Sequence, residues 1–289
     1  MKSQTAVIDN QNIVEYYDNC QVDYSIVWHL KTHLSLHYGY WDHTTKRLRE
    51  ALLKMNDVLA QKINLKPTDK VLDAGCGVGG SAIYLAGKYN CSVHGITLSK
   101  NQADFATAKA KEKNLVEKVS FSVADFTKMP FDNESFDVVW AVESVCHAND
   151  KREFLKEAFR VLKKGGRLII ADFFRTMDTP DKLQDNLLTN WGKSWAVPHF
   201  EYIKNFDAIS VETGFTSVGA ENITQNIRPS AERLYYCFVP GIICDGFLRL
   251  VGKRNQLHKA NVWSTYYQYK SLKDNLWNYY IFSAKKEQV

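Results

Sequence analysis

The residues best placed to do chemistry gather around one run of this 289-residue chain, Val71-Leu72-Asp73-Ala74-Gly75-Cys76-Gly77-Val78-Gly79-Gly80. A short apolar strand ends in an acid and opens onto glycines, which let backbone take positive φ and approach a bound nucleotide closely. Gly75, Gly77 and Gly80 also satisfy the G-x-G-x-x-G dinucleotide fingerprint. A nicotinamide site wants an acid about 20 residues further on, at the end of the second strand. That stretch reads His94-Gly95-Ile96-Thr97-Leu98-Ser99 and has none. The acid sits inside the loop instead, where it suits a ligand bearing cationic groups. The redox reading fails. A second pair follows, with Glu143 ending another apolar run and His147 four residues on. On a helical segment those two side chains point the same way, and the carboxyl end of a strand is where open α/β sheets bind ligands. A carboxylate there could steady a cation or accept a proton. His29, His33 and His37 share that spacing, but no fourth ligand accompanies them and no metal is expected.

These groups need elements to hold them. Residues 68–175 alternate strand and helix patterns, which predicts parallel β-α-β units with right-handed crossovers. Strands are expected over 70–73, 92–96, 119–123, 136–142 and 166–173. Ser99 with Gln102, and Asp150 with Glu153, have capping-box spacing. Lys163-Lys164-Gly165-Gly166 reads as a cationic last helical turn with a glycine stop. Residues 1–67 read as an N-terminal helical lid, with an amphipathic helix over 13–30, an aromatic irregular stretch over 37–43, and a helix over 44–63. Residues 176–289 carry cap insertions, an αβ unit over 202–223, and strands over 218–224 and 277–284.

From Asp73 to Gly79 the chain resembles the class I S-adenosylmethionine-dependent methyltransferases. The resemblance extends through 93–99, Ala124-Asp125-Phe126, 136–142 and 161–168, covering about residues 68–175. Tyr16-Tyr17-Asp18, Asp23-Tyr24, Trp28 and His37-Tyr38-Gly39-Tyr40-Trp41-Asp42 resemble the lid of sterol, tocopherol and isoprenoid C-methyltransferases and their relatives acting on sugars, alkaloids and phosphoethanolamine. Glu143-Ser144-Val145-Cys146-His147-Ala148 is similar to the Glu-Ala-x-x-His-Ala stretch of the sterol branch, from which the C-terminal third departs. The resemblance implies an α/β, Rossmann-like methyltransferase fold: a mostly parallel seven-stranded sheet with an antiparallel last strand, a helical lid and cap insertions.

It also implies S-adenosylmethionine as cofactor. Asp73, Gly75, Cys76, Gly77 and Gly79 would hold its methionine end, and Thr97 and Leu98 would border the ribose. Gln102 would donate to the ribose or complete its capping box. Ala124, Asp125 and Phe126 would take the adenine, with Asp125 accepting from its amino group. Glu143 and Tyr38 would complete the cofactor site, and Trp28, Tyr38 and Trp41 would shield the methyl donor. Catalysis would fall to His147 with Tyr17 or Tyr16, and to Glu143. Trp191, Trp195, His199, Tyr235, Tyr236 and Phe238 are candidate pocket walls, or ordinary core.

The bulk numbers limit the partners. With 45% hydrophobic and 24% charged residues the composition is that of a globular protein. A net charge of +5 without a dense Lys/Arg block argues against nucleic acid, and no Asn/Asp-Pro-Pro-Tyr-like segment follows the fourth strand. Residues 1–12 lack an apolar leader core. The apolar stretch 235–252 is interrupted by Pro240, Gly241 and Asp245, a poor membrane span. Six cysteines without C-x-x-C pairing suggest neither disulfides nor zinc. A cytoplasmic enzyme is expected, methylating a small isoprenoid-, sterol-, polyketide- or alkaloid-like acceptor. Its rivals are a nucleic-acid methyltransferase and a protein that binds this cofactor without methyl transfer. The insertion over 225–275 would roof the pocket or pair with a second copy in a homo-oligomer.

Overall fold

In the computed structural model, which describes residues 8–28, 30–252 and 254–287, three N-terminal helices precede the sheet. They are α1 (Asn10–Val27), α2 (Leu30–His33) and α3 (Leu48–Lys62). Asp9 and Asn12 close a capping box on α1. The single helix expected over 13–30 ends at Trp28, and that expected over 44–63 begins only at Leu48.

The apolar runs then become β1 (Lys70–Ala74), β2 (Ser92–Thr97), β3 (Val119–Val123), β4 (Phe136–Val142) and β5 (Leu162–Arg175). After Lys70 every residue of β1 is buried, as expected of a parallel strand covered by helices on both faces. The crossovers are α4 (Gly80–Tyr89), α5 (Lys100–Glu112) and α6 (Lys151–Val161). Phe154, Leu155, Ala158 and Val161 form the buried stripe of α6. Next come α7 (Lys182–Ser194), α8 (Ile203–Thr213), β6 (Thr216–Asn222), α9 (Thr224–Tyr236), α10 (Phe238–Leu250), α11 (Gln256–Lys273) and β7 (Trp277–Lys285). The sheet order is β3-β2-β1-β4-β5-β7-β6. β7 runs antiparallel to both β5 and β6. The order reverses between β1 and β4, and a crevice opens at that switch point in folds of this kind.

Several local expectations are corrected. Lys163-Lys164-Gly165-Gly166 belongs to β5, where the register with β4 shifts between Leu162 and Arg167: the Gly165 N–H donates to the Lys286 carbonyl at 2.8 Å, and the Lys163 side chain pairs with Asp137 at 2.9 Å. Both capping boxes are only half made. Ser99 accepts from the Gln102 N–H at 3.3 Å, but the Gln102 side chain turns to Thr97. Asp150 accepts from the Arg152 N–H at 2.8 Å, while Glu153 pairs with Lys156.

The insertion packs inward over the lid. α11 lies against α7 and α1. Trp41 Nε1 and the Gly39 N–H both donate to Ser230 of α9, at 2.8 and 3.1 Å. Arg254 pairs with Asp23 of α1 and lies 3.5 Å from Asp245 of α10. The Tyr16 hydroxyl donates to Asn261 at 3.0 Å. Beside α11, Trp191 of α7 stacks on Phe200, centroids 4.3 Å apart, and meets Trp277 at 4.8 Å. One core runs through all three sequence regions, from Leu52 through Val71 to Trp277. The outer face of α10 exposes Val239, Ile243, Phe247 and Leu250. Among the described residues no helix is long and apolar enough to cross a membrane.

Candidate active site

A cleft opens at the carboxyl ends of β1 and β4, roofed by α1 and the segment after α2. Its walls enclose about 1230 Å³, the open mouth included.

Asp73 forms its floor. Burial pushes this carboxyl up to about 7, partly opposed by the Ala82 N–H. Its Oδ2 has no protein partner, a costly state that a cationic ligand would relieve. At the loop, Gly77 has φ +52, and a Cβ there would meet no protein atom. Gly80 is needed for another reason: a Cβ would lie 1.8 Å from the Leu34 carbonyl oxygen, so lid and loop touch through bare backbone. Thr97, Leu98 and Gln102 line one side, and the Thr97 hydroxyl donates to Gln102 Oε1 at 2.7 Å. Ala124 and Phe126 supply an apolar wall nearby.

Across the cleft, Glu143 leaves β4 with φ +49. Its Oε1 accepts from the Tyr38 N–H at 2.6 Å and from the Tyr279 hydroxyl at 2.9 Å. Burial still holds the carboxyl well above the usual range, against those two hydrogen bonds. A 3₁₀ turn, Val145–His147, then presents the imidazole. His147 Nδ1 faces the Ala196 carbonyl at 3.0 Å. A carbonyl only accepts, so Nδ1 carries the proton and the Nε2 lone pair receives the Tyr17 hydroxyl at 2.9 Å. Burial lowers this imidazole to about 4, so it is neutral across the physiological range.

The structure separates other expected residues from the cleft. Asp125 is drawn into a turn, accepting from the Thr127 N–H and hydroxyl at 2.7 Å each and from Asn10 at 2.7 Å. Its neighbours Ala124 and Phe126 reach the wall; Asp125 does not. Gly79 lies behind the loop, against Phe121 and Ala106. Tyr38 contributes only its N–H, since its ring stacks on Trp277 and its hydroxyl donates to Gln268 at 2.9 Å. Tyr16 lines the cleft, but its hydroxyl is engaged with Tyr24 and Asn261 rather than His147. Trp28 and Trp195 are on the wall; Trp41, Trp191, His199, Tyr235, Tyr236 and Phe238 are not. Aromatic packing claims most of those, as where Tyr235 stacks on Tyr269 at 4.5 Å. His29 lies outside the described residues, and among those described no group of three His, Cys, Asp or Glu could hold a metal ion. Tyr279 and Ala196 escaped the sequence reading. They act from up to 136 residues away in the chain, or through a backbone carbonyl, and no spacing signals either.

The charge inventory is one-sided. Asp73 and Glu143 line the cleft, the histidines His37 and His147 are both held near neutrality at about 4, and no described Lys or Arg side chain joins them. An unsatisfied buried carboxylate, an open glycine loop and an apolar wall fit a flat heterocycle joined to a cationic tail.

Residues 72–170 match the family described as a methyltransferase domain. The chain is 35% identical over 196 residues to 27-O-demethylrifamycin SV methyltransferase of Amycolatopsis mediterranei (strain S699), covering 68% of this chain and 72% of that one. It is 37% identical over 237 residues to the chloroplastic tocopherol O-methyltransferase of Arabidopsis thaliana, covering 76% and 67%. The chain belongs to the S-adenosylmethionine-dependent methyltransferases. The fold of this methyltransferase also resembles the crystal structure of the [4+2]-cyclase SpnF, at a TM-score of 0.76 and 21% identity over 99% of both chains. The methyltransferase is therefore an enzyme of the small-molecule branch, using S-adenosylmethionine as its methyl donor.

Proposed function

We propose that this enzyme O-methylates a neutral, largely apolar acceptor bearing an ionisable hydroxyl, with Tyr17 and His147 removing the hydroxyl proton. The observation that carries this is the Ala196–His147–Tyr17 chain at the wall of a cleft lined by Ile13, Val14, Leu36, Phe173 and Trp195. The O-methyltransferases among its relatives support the choice of oxygen.

The cofactor, when bound, supplies an electrophilic methyl group whose positive charge vanishes as the new bond forms. Asp73 would pair with its ammonium, Gly75, Cys76 and Gly77 would lie against its tail, Thr97, Leu98 and Gln102 would border its ribose, and Ala124 and Phe126 its purine. Glu143 lines the cleft beside them. Tyr17 accepts the acceptor's hydroxyl proton on its own oxygen and passes its phenolic proton to His147 Nε2. The acceptor O–H bond would break and an O–CH₃ bond form in place of the donor's S–CH₃ bond, whose electron pair would stay on sulfur in S-adenosylhomocysteine, leaving the proton on the imidazole. A neutral imidazole with its Nδ1–H fixed is ready for that role. A weak base suffices, because the hydroxyl becomes strongly acidic as methylation proceeds. Holding both reactants in line supplies about 7–11 kcal/mol of the barrier, and the lid over α1 and residues 34–37 excludes water.

The test is incubation with methyl-labelled S-adenosylmethionine and a panel of phenols, apolar alcohols and their O-blocked or phosphorylated counterparts. Label should pass to free hydroxyls alone. His147→Ala and Tyr17→Phe should lower turnover by about 10²-fold while product-cofactor affinity holds. Labelling of carbon, or binding without any turnover, overturns the proposal.

A further inference from the structure

Lys151, the first residue of α6, is a buried cation that the proton path does not use. It is 4% exposed, and its Nζ donates to three backbone carbonyls: Cys146 at 2.9 Å, Ala148 at 2.6 Å and His199 at 3.1 Å. An ammonium has three hydrogens to give, and all are placed. The choice of acceptors is informative. Cys146 and Ala148 are the residues on either side of His147. His199 lies three residues beyond Ala196, whose carbonyl fixes the imidazole Nδ1–H. One side chain therefore joins the turn that presents His147 to the segment that orients it.

Cys146 is held at its N–H as well as at its carbonyl. Its N–H donates to Asp172 Oδ2 at 2.9 Å, and Asp172 Oδ1 accepts from the Phe173 N–H at 2.9 Å. A carboxylate on β5 and a cation on α6 thus hold Cys146, the residue before His147, by its N–H and its carbonyl. A buried ammonium is costly to desolvate, and an apolar side chain would fill the same volume without that penalty. What an apolar side chain cannot do is satisfy three carbonyls that converge from two segments.

We propose that Lys151 is a positioning residue that sets the orientation and tautomer of His147 for proton transfer from Tyr17. The 3.0 Å contact to Ala196 and the 2.9 Å contact to Tyr17 can coexist only while both segments stay in place. A shift of about 1 Å in such a group costs about 10²-fold in rate.

This inference rests on His147 being the proton acceptor, and its test separates the two. The full chain and its Lys151→Met, Lys151→Gln and His147→Ala variants are compared by turnover, by calorimetric affinity for S-adenosylhomocysteine, and by the ¹⁵N spectrum of histidine-labelled protein. The parent His147 should appear as a single Nδ1–H tautomer. In Lys151→Met it should become a tautomer mixture, with kcat reduced about 10²-fold and product-cofactor affinity unchanged. Lys151→Gln, which keeps two donors, should fall between, and it decides the matter by the same spectrum if the methionine variant does not fold. A merely structural lysine would alter stability and leave the tautomer alone; that result overturns the inference. Should His147→Ala retain full turnover, the proton-acceptor reading fails instead, whatever the Lys151 spectra show.

Discussion

Lowering the pH from about 8 to about 6 should weaken S-adenosylhomocysteine binding by about tenfold, and Asp73 should be the cause. Burial raises this carboxyl to about 7 in the ligand-free protein. A group of that pKa is roughly nine-tenths ionised at pH 8 and roughly one-tenth at pH 6. The ligand's ammonium pairs with the ionised form alone, so affinity follows the ionised fraction, a difference of about 1.4 kcal/mol. Binding at about pH 6 should release close to one proton, visible in calorimetry as a dependence on the ionisation heat of the buffer. The same shift has a stability consequence of opposite sense. A carboxyl whose folded pKa lies above its unfolded value of about 4 favours folding below about pH 4, and loses that contribution as the pH rises through about 7. The ligand-free protein should thus be less stable at about pH 8 than at pH 4–5, by up to about 4 kcal/mol from this residue. Asp73→Asn should flatten both slopes and bind the product weakly at every pH. If the variant keeps the parent's slope in affinity, another group carries it and the assignment to Asp73 is wrong.

Three further perturbations bear on the framework. Gly80→Ala forces a methyl group to within 1.8 Å of the Leu34 carbonyl; it should cost about 1–3 kcal/mol and weaken product-cofactor binding as the lid is displaced, and an unchanged melting curve and affinity would disprove the contact. Arg254→Met leaves the buried Asp23 and Asp245 without their shared cation. Urea unfolding should show a loss of about 3–5 kcal/mol, with partial recovery when Asp245→Asn is added; equal stability of parent and variant would show that this clamp does not hold the lid. Trp191→Ala removes a fully buried ring between Phe200 and Trp277, and guanidinium melts should register about 3–5 kcal/mol.

How much of this was readable beforehand depends on the range of the interaction involved. The parallel strands were legible because continuous apolar runs such as Val71-Leu72 and Val138-Val139-Trp140 have few other ways to be buried. The glycine loop was legible because an acid, three spaced glycines and a helix start follow one another directly. Boundaries failed where a distant partner took over the backbone: Gly165 and Gly166 joined a strand because the Lys286 carbonyl and N–H were there to receive them. The place of Asp125 was left open by sequence, since a carboxylate two residues before a threonine can equally close a turn as face a ligand, and in the structure it closes the turn.

The amino-acid sequence alone determined the sheet, the family and the nature of the donor, because each rests on patterns within a few residues or on motifs in fixed order. Tertiary structure alone chose Tyr17 over Tyr16, since only packing turns one hydroxyl to His147 and the other to Asn261. It alone brought the Ala196 carbonyl to the imidazole and Lys151 to both segments around it. Hydrogen-bond directions in a buried site are set by which groups are left without water, and that is decided only when distant segments have closed around them.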